Sequence, residues 1–410
     1  MEKSVSAAEK KLKVRNNLHI HDDLAFSILS KLPLKPLKRF GCVCKLWSLL
    51  FENAHFIKML RTNFLSNSHS GSDHSGGDTF LLLDEDVPRH HAVLYLLPNE
   101  RFENRIKLDL PPPFQEDANP YILSSVNING IFCIGQDKHN GMVNTFRAVL
   151  WNPATTEFMV IPPSPDESVP PYRDPFFKFH GFGYDRDRDD YKVIRYMSFF
   201  HLTDEEEDVP DEDRSYDPIL EIYSLKSNSW RILDVNIADF NYDRPWLGTG
   251  VYIDGVCHWW GNNDLYNSTG CLVSFDCCNE VLSTTPMLLD IDERCDFEII
   301  ERRLVVLNNS IALISNCLNI NATTFHISTL GELGVMESWI KLFVVGPIPS
   351  IECPIGVGKK GDICFKREND ELVWIDLSSQ IIDEIGVKGD KYARMGIYKE
   401  SLLSIGGINN

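Results

Sequence analysis

A recurring phrase constrains this chain more than any other feature. It consists of a short apolar strand, a polar turn, and a second strand opening on an aromatic or apolar residue. It reads "VLWNPATTEFMVIPP" at 149–163, "LEIYSLKSNSWRILDV" at 220–235, "LVSFDCCNEVLSTTPM" at 272–287 and "LVWIDLSSQIIDEIGV" at 372–387. "TFHISTLGELGVMESWIKLFVV" (324–345) carries a longer turn, and "VLYLLPNERFENRIKLDL" (93–110) is a weaker copy. The copies start 56, 71, 52, 52 and 48 residues apart, and the long interval contains "DEEEDVPDED" (204–213). That charge density reads as a solvated loop insertion. Between the copies lie further hairpins around Gly or Asn turns, "VYIDGVCHWWG" (251–261), "LVVLNNSIALIS" (304–315) and "GKKGDICFKRE" (358–368). Two hairpins per period of about fifty residues is the arithmetic of a four-stranded propeller blade. Six hairpins suggest six blades. The last element, "MGIYKESLLSI" (395–405), has no following hairpin and is expected to join the strands at 80–83 and 93–110. Ring closure of this kind hides strand edges that would otherwise aggregate.

Before this array the pattern is different. "LAFSILSKLPLKPLKRFGCVCKLW" (24–47) spaces its apolar residues for helices. Asp22 or Asp23 can cap a helix with Leu24, Ile28, Leu29 and Leu32 on one face. Pro33 ends it, and Pro36 suits the first turn of a second helix bearing Leu37, Phe40, Val43 and Cys44, with Trp47 continuing the set. Asn53 can cap a third helix with Phe56, Ile57, Leu60 and Phe64. About fifty residues of helix bury too little surface to be comfortable alone. These helices are expected to dock on another helical protein, or to pack on the strand domain.

The sequence therefore divides into a basic tail (1–17), expected to be disordered, a helical module (18–65), a Ser/Gly-rich flexible linker (66–78) and a strand domain (79–410). Residues 1–66 balance at +7 and the remainder at −26, giving the net −19. An acidic body argues against nucleic-acid binding, and the basic module favours an acidic protein partner. No run of eighteen apolar residues suggests a membrane span. The N-terminal residues lack the apolar stretch of a secretory signal. The eleven cysteines, lacking a repeated CxxC frame, read as reduced core residues of a cytoplasmic or nuclear protein.

The helical module resembles the F-box. Leu24, Ile28, Leu29, Leu32, Pro33, Leu37, Arg39, Phe40, Val43, Cys44, Lys45 and Trp47 fall on matching positions. Two positions depart from the pattern. Ile20-His21 replaces the opening Leu-Pro, and Pro36 replaces the usual Ser. The body resembles the plant F-box-associated interaction domain of F-box/kelch-repeat and S-locus F-box-like proteins. The resemblance is carried by "LWNPATTEFMVIPP", "HGFGYDRDRDDYKVIRY", "EIYSLKSNSWR", "VYIDGVCHWWG", "LVSFDCCNEV", "ESWIKLF" and "YKESLLSI". It implies a mixed fold, a small all-α F-box of about three helices followed by an all-β, kelch-like propeller. It also implies a substrate receptor of an SCF-type ubiquitin ligase. The F-box face (Leu24, Ile28, Leu29, Leu32, Pro33, Leu37, Phe40, Val43, Cys44, Trp47) would hold a Skp-type adaptor and, through it, the cullin and RING subunits. The propeller would capture a protein substrate for degradation.

Such a receptor acts by proximity, needing neither catalytic residue nor cofactor. His19-x-His21 with Cys42-x-Cys44 fits no zinc frame, and His69, His74, His90 and His91 read as loop residues. "DRDRDD" (185–190) reads as a solvated turn, since it lacks the spaced ligands of a calcium loop. No P-loop, GxGxxG in strand–helix context or GxSxG occurs. The repeat tryptophans read as blade packing. Trp246 falls outside that pattern. Substrate contacts are expected in the loops 164–177, 203–218 and 240–248, at Tyr172, Arg173, Tyr216, Tyr242, Arg244 and Trp246. Two other readings are a lectin- or glycosidase-like propeller acting through carboxylates at its mouth, and an F-box protein acting outside a ligase.

Overall fold

The computed structural model describes residues 27–32, 56, 59, 79–87, 91–114, 121–122, 127–139, 144–164, 173–201, 218–235, 250–262, 270–287, 301–317, 323–390, 393–401 and 404–405. Residues 27–29 form a helical turn, and Phe56 and Met59 are helical. The rest of the three expected helices, the 66–78 linker and the 1–17 tail lie outside the described residues.

The strands run β1 (Thr79–Val87), β2 (His91–Leu97) and β3 (Ile106–Lys107), then β4 (Tyr121–Ile122), β5 (Phe132–His139), β6 (Asn144–Asn152) and β7 (Glu157–Val160). Next come β8 (Arg173–Asp185), β9 (Asp190–His201), β10 (Ile219–Ser224) and β11 (Ser229–Ile232). They are followed by β12 (Val251–Ile253), β13 (Val256–Asn262), β14 (Gly270–Asp276) and β15 (Val281–Pro286). The next four are β16 (Glu301–Leu307), β17 (Ser310–Cys317), β18 (Thr323–Leu330) and β19 (Trp339–Ile348). The last are β20 (Ile351–Val357), β21 (Ile363–Arg367), β22 (Glu371–Ile375), β23 (Ile382–Lys388) and β24 (Arg394–Lys399). The described strands form six four-stranded sheets. Five are sequential meanders, β4–β7 through β20–β23. The remaining sheet is ordered β24-β1-β2-β3, so the last strand pairs with the first, Leu83 opposite Met395.

The recurring phrase has one physical meaning. At the end of a strand, Asn152, Ser224, Asp276 or Asp376 turns its side chain back to accept a backbone N–H two or three residues on. Asp185 does the same between β8 and β9. Four residues after each of these lies a residue in the left-handed region, Thr156, Asn228, Glu280, Gln380 and Asp189, with φ between 50° and 62°. A side-chain-closed turn followed by one left-handed residue sets the twist that a short hairpin needs.

Apolar packing is divided among the sheets. Adjacent residues of one strand point to opposite faces. Val193 packs towards the second sheet and Ile194 towards the fourth, while Val273 and Leu272 serve the third and fifth. Hence these strands read as nearly unbroken apolar runs, as strands buried on both faces do. The result is six apolar clusters, one at each seam, and the seam between the sixth sheet and the β24 sheet completes the circle. Two seams carry the same link. Trp230 Nε1 donates to the Pro162 carbonyl (2.7 Å), and Trp339 Nε1 donates to that of Pro286 (3.2 Å). Successive sheets therefore repeat in one orientation. Trp151, Trp230, Trp259 and Trp374 are buried.

Two buried ion pairs inside these seams are each completed by further partners. Arg195, 1% exposed, pairs with Glu221 across β9 and β10, and Ser164 Oγ donates to the same carboxylate at 2.6 Å. The guanidinium lies over the Trp230 ring at 4.5 Å. The expectation of a solvated "DRDRDD" turn is corrected in part. Asp185 is fully buried against Lys192 (2.7 Å), whose ammonium also reaches Glu280 (2.8 Å) and the Cys277 carbonyl. Burial works to raise the Asp185 pKa, but hydrogen bonds from Lys192 and Arg188 outweigh it and hold the group well below the usual carboxylate range.

Candidate functional site

Strand alternation sorts the connections between strands into two sets. In each meander the first-to-second and third-to-fourth strand turns lie at one end of the sheet. The second-to-third connection and the link to the next sheet lie at the other. Most turns of the first set are short, such as 186–189, 254–255 and 308–309, while 98–105 and 331–338 are longer. The second set includes 161–172, 202–218, 233–250 and 287–300. Because the sheets repeat in one orientation, the strand ends that these connections join lie on a single face of the ring. Binding surfaces concentrate on such connections when a rigid scaffold carries them.

The three loops expected to contact substrate all belong to this set. One boundary is corrected. Residues 173–177 are not loop but the start of β8, where the backbone of Arg173 pairs opposite His201. Tyr172, Tyr216, Tyr242, Arg244 and Trp246 lie outside the described residues.

Of the expected adaptor face, Ile28 is 51% exposed, whereas Leu29 is 5% exposed. Leu29 and the fully buried Phe56 join the apolar cluster between the fifth and sixth sheets, and Leu32 packs against it. Leu29 therefore spends its surface inside the molecule, and Ile28 presents its own outward. Leu24, Pro33, Leu37, Phe40, Val43, Cys44 and Trp47 lie outside the described residues, as do His19, His21 and Cys42. Among the described residues no cluster of three or more His, Cys, Asp or Glu is placed to hold a metal ion.

One feature escaped the sequence reading. The inner strands β16, β20 and β24 line a cavity of about 130 Å³, to which Arg303 and Arg394 both contribute. Gly356 lets the strands close up, since a Cβ there would lie 2.2 Å from the Met395 carbonyl oxygen. The available signal was a cation set inside apolar strand runs, "ERRLVVL" and "YARMGIY".

The F-box-associated beta propeller domain model matches residues 88–405, and the F-box domain model matches residues 18–58. The chain belongs to the F-box-associated propeller family. F-box protein CPR1 of Arabidopsis thaliana is 26% identical over 262 residues, covering 58% of this chain and 59% of CPR1. Less than two thirds of that relative is thus shared. A second Arabidopsis thaliana protein, named for its F-box and kelch repeats, is 24% identical over 413 residues, covering 93% of this chain and 95% of its own. In this F-box protein the side-chain-closed turns include the family motifs "WNPATTEF" and "FDCCNEV".

Proposed function

We propose that this F-box protein is the substrate-recognition subunit of an SCF-type ubiquitin ligase. Its F-box holds a Skp-type adaptor and through it the cullin and RING subunits. Its six sheets serve as the six blades of one propeller that captures a protein substrate for ubiquitination and degradation. The observation that carries this reading is the pairing of an F-box at 18–58 with an F-box-associated propeller at 88–405 in one chain. Ring closure by β24 supports it, because pairing the last strand with the first gives the long connections one closed, rigid scaffold. Substrate is taken on that face, where Tyr172, Arg173, Tyr216, Tyr242, Arg244 and Trp246 are the proposed contacts. The F-box residues named above form the proposed adaptor surface, from domains bounded at 18–65 and 79–410. No catalytic group is assigned, since holding a substrate beside a ubiquitin donor raises effective concentration. Its proposed place of action is the cytoplasm or nucleus, where the eleven cysteines of the chain would stay reduced.

The deciding experiment is capture of a plant Skp-type adaptor and cullin by the intact chain, beside a Leu37→Ala/Trp47→Ala variant whose circular dichroism still reports a folded propeller. Capture by the first and loss in the second is the expected result. Failure of the intact chain to bind overturns the proposal.

A further inference from the structure

The cavity among β16, β20 and β24 contrasts with the rest of the protein. The chain carries a net charge of −19, yet the residues that line this cavity include Arg303 and Arg394 and no Asp or Glu. Arg303 donates to the Pro354 carbonyl, which fixes its head beside the inner edge of β20. Arg394 opens β24, and among the described residues no carboxylate pairs with it. The remaining wall is largely apolar. Val306 contributes to it, as does Ile397, which is 41% exposed although it sits on an inner strand.

We infer that this cavity holds a carboxylate side chain of an extended, acidic segment of the protein substrate, flanked by apolar residues. The inference rests on the substrate-receptor reading above and gives its substrate a chemistry. A volume of about 130 Å³ admits one side chain and excludes a folded element. Guanidiniums present planar, fixed donors matched to a carboxylate, and such charge-assisted bonds strengthen where water is excluded. Val306 and Ile397 then cover the apolar neighbours of the acid. Elsewhere the acidic surface repels such a segment, which steers it to these two cations.

The test is calorimetric titration of the full chain with acetyl-Ile-Glu-Ile-amide, with acetyl-Ile-Gln-Ile-amide, and with sodium phosphate alone. The Glu peptide is expected to bind at least about ten-fold more tightly than the Gln peptide, and Arg394→Gln to abolish that difference. Arg303→Gln also removes the tie to Pro354, so Arg394→Gln is the deciding variant. Three results overturn the inference: equal affinity for both peptides or binding of neither, an unchanged Arg394→Gln variant, or phosphate binding as tightly as the Glu peptide. The last would make this a small-anion site. Adaptor capture measured on the same preparation separates this failure from failure of the receptor reading.

Discussion

Asn152 and Ser401, 249 residues apart, are joined by a 2.9 Å hydrogen bond from Asn152 Nδ2 to the Ser401 carbonyl. The same amide accepts from the Ala154 N–H at 3.0 Å, closing the turn of "WNPATTEF". One fully buried side chain thus shapes a hairpin of the second sheet and holds the chain just beyond β24, which belongs to the first. Gly130 fits against the same residue. Its φ is +80°, and a Cβ there would lie 2.6 Å from Ser401 Cβ. Two residues after the described gap, the Ile405 N–H donates to Glu157 Oε2 at 3.1 Å. The seam between the first and second sheets is therefore bolted by polar groups as well as by apolar packing.

Asn152→Ala is expected to destabilise the propeller by about 2 kcal/mol, because it orphans a buried carbonyl and a turn N–H together. Asn152→Asp keeps the acceptor for Ala154 but loses the donor to Ser401, and so isolates the closure bond. Urea denaturation of the full chain measures both. Midpoints equal to wild type would mean that the ring closes without this residue.

Gly356 and Gly386 make opposite demands. A Cβ on Gly356 meets the Met395 backbone oxygen at 2.2 Å, and backbone has little room to yield. Gly386 has φ +71° but open space around it. Gly356→Ala is expected to cost about 3 kcal/mol through strand separation. Gly386→Ala should cost about 1 kcal/mol through its left-handed backbone alone. Thermal unfolding ranks the two, and the reverse order would refute the close approach of β20 and β24.

The Arg195–Glu221 pair sits where charges are costly unless partnered. Removing either partner, as in Arg195→Met or Glu221→Leu, leaves the other charge buried and is expected to cost about 3–5 kcal/mol. The double variant should recover most of that loss, since apolar residues of similar volume can replace a buried pair. A double variant no more stable than the singles would show that Ser164 and Trp230 depend on the charges for their own placement.

Much of the fold was legible because a propeller is a repeat, and a repeat states its pattern several times. The turns at 152–156, 224–228, 276–280 and 376–380 carry their own chemistry in Asn, Ser or Asp. The role of "MGIYK" could be inferred because no strand followed it. What the repeat did not show were contacts between distant segments. Nothing local marks Asn152 as a partner of Ser401, or separates the buried Asp185 and Asp190 from the exposed residues between them in "DRDRDD". The start of β8 was hidden because "YRDPFF" looks like a turn until its pairing with β9 is known. Arg303 and Arg394 lie 91 positions apart and meet only when the ring is closed.

Two titrating groups, the buried His258 and the half-buried Asp362, pull stability in opposite directions across mildly acidic pH, so each shows only when the other is removed. Burial lowers the His258 pKa to about 4, its Nδ1 lying 2.8 Å from Ser274 Oγ. An unfolded His takes its proton near pH 6.5, so stability falls as pH drops from about 6.5 towards 4. Burial and the nearby Asp376 and Glu100 push Asp362 up to about 6. An unfolded Asp loses its proton near 4, so here stability falls as pH rises from about 4 to 6. Asp362→Asn should therefore raise stability at pH 7 by about 1 kcal/mol, the shift being discounted for solvent screening, and change little at pH 4. His258→Gln should flatten the acid limb between pH 6 and 4. Melting curves across pH 4 to 8 test both, and parallel wild-type and variant profiles would remove these groups as the cause.

Ile28 and Leu29 are neighbours in sequence with opposite exposure, and this separates folding from adaptor binding. Ile28, half exposed on its helical turn, is available to a partner. Leu29 lies with Phe56 in the cluster between the fifth and sixth sheets. Leu29→Ala is expected to destabilise the F-box by about 2–4 kcal/mol, within the usual cost of opening a cavity. Ile28→Asp should leave the melting temperature within about 2 °C, as surface changes do, because about half of the side chain already faces water. It should nevertheless weaken capture of a Skp-type adaptor, because a carboxylate would then be desolvated at the interface. Surface plasmon resonance against the adaptor, run beside calorimetry, reads the two effects independently. Normal adaptor binding by Ile28→Asp would move the contact to another part of the module. A stable Leu29→Ala would mean that the first helical turn is held by the module itself, without help from the propeller.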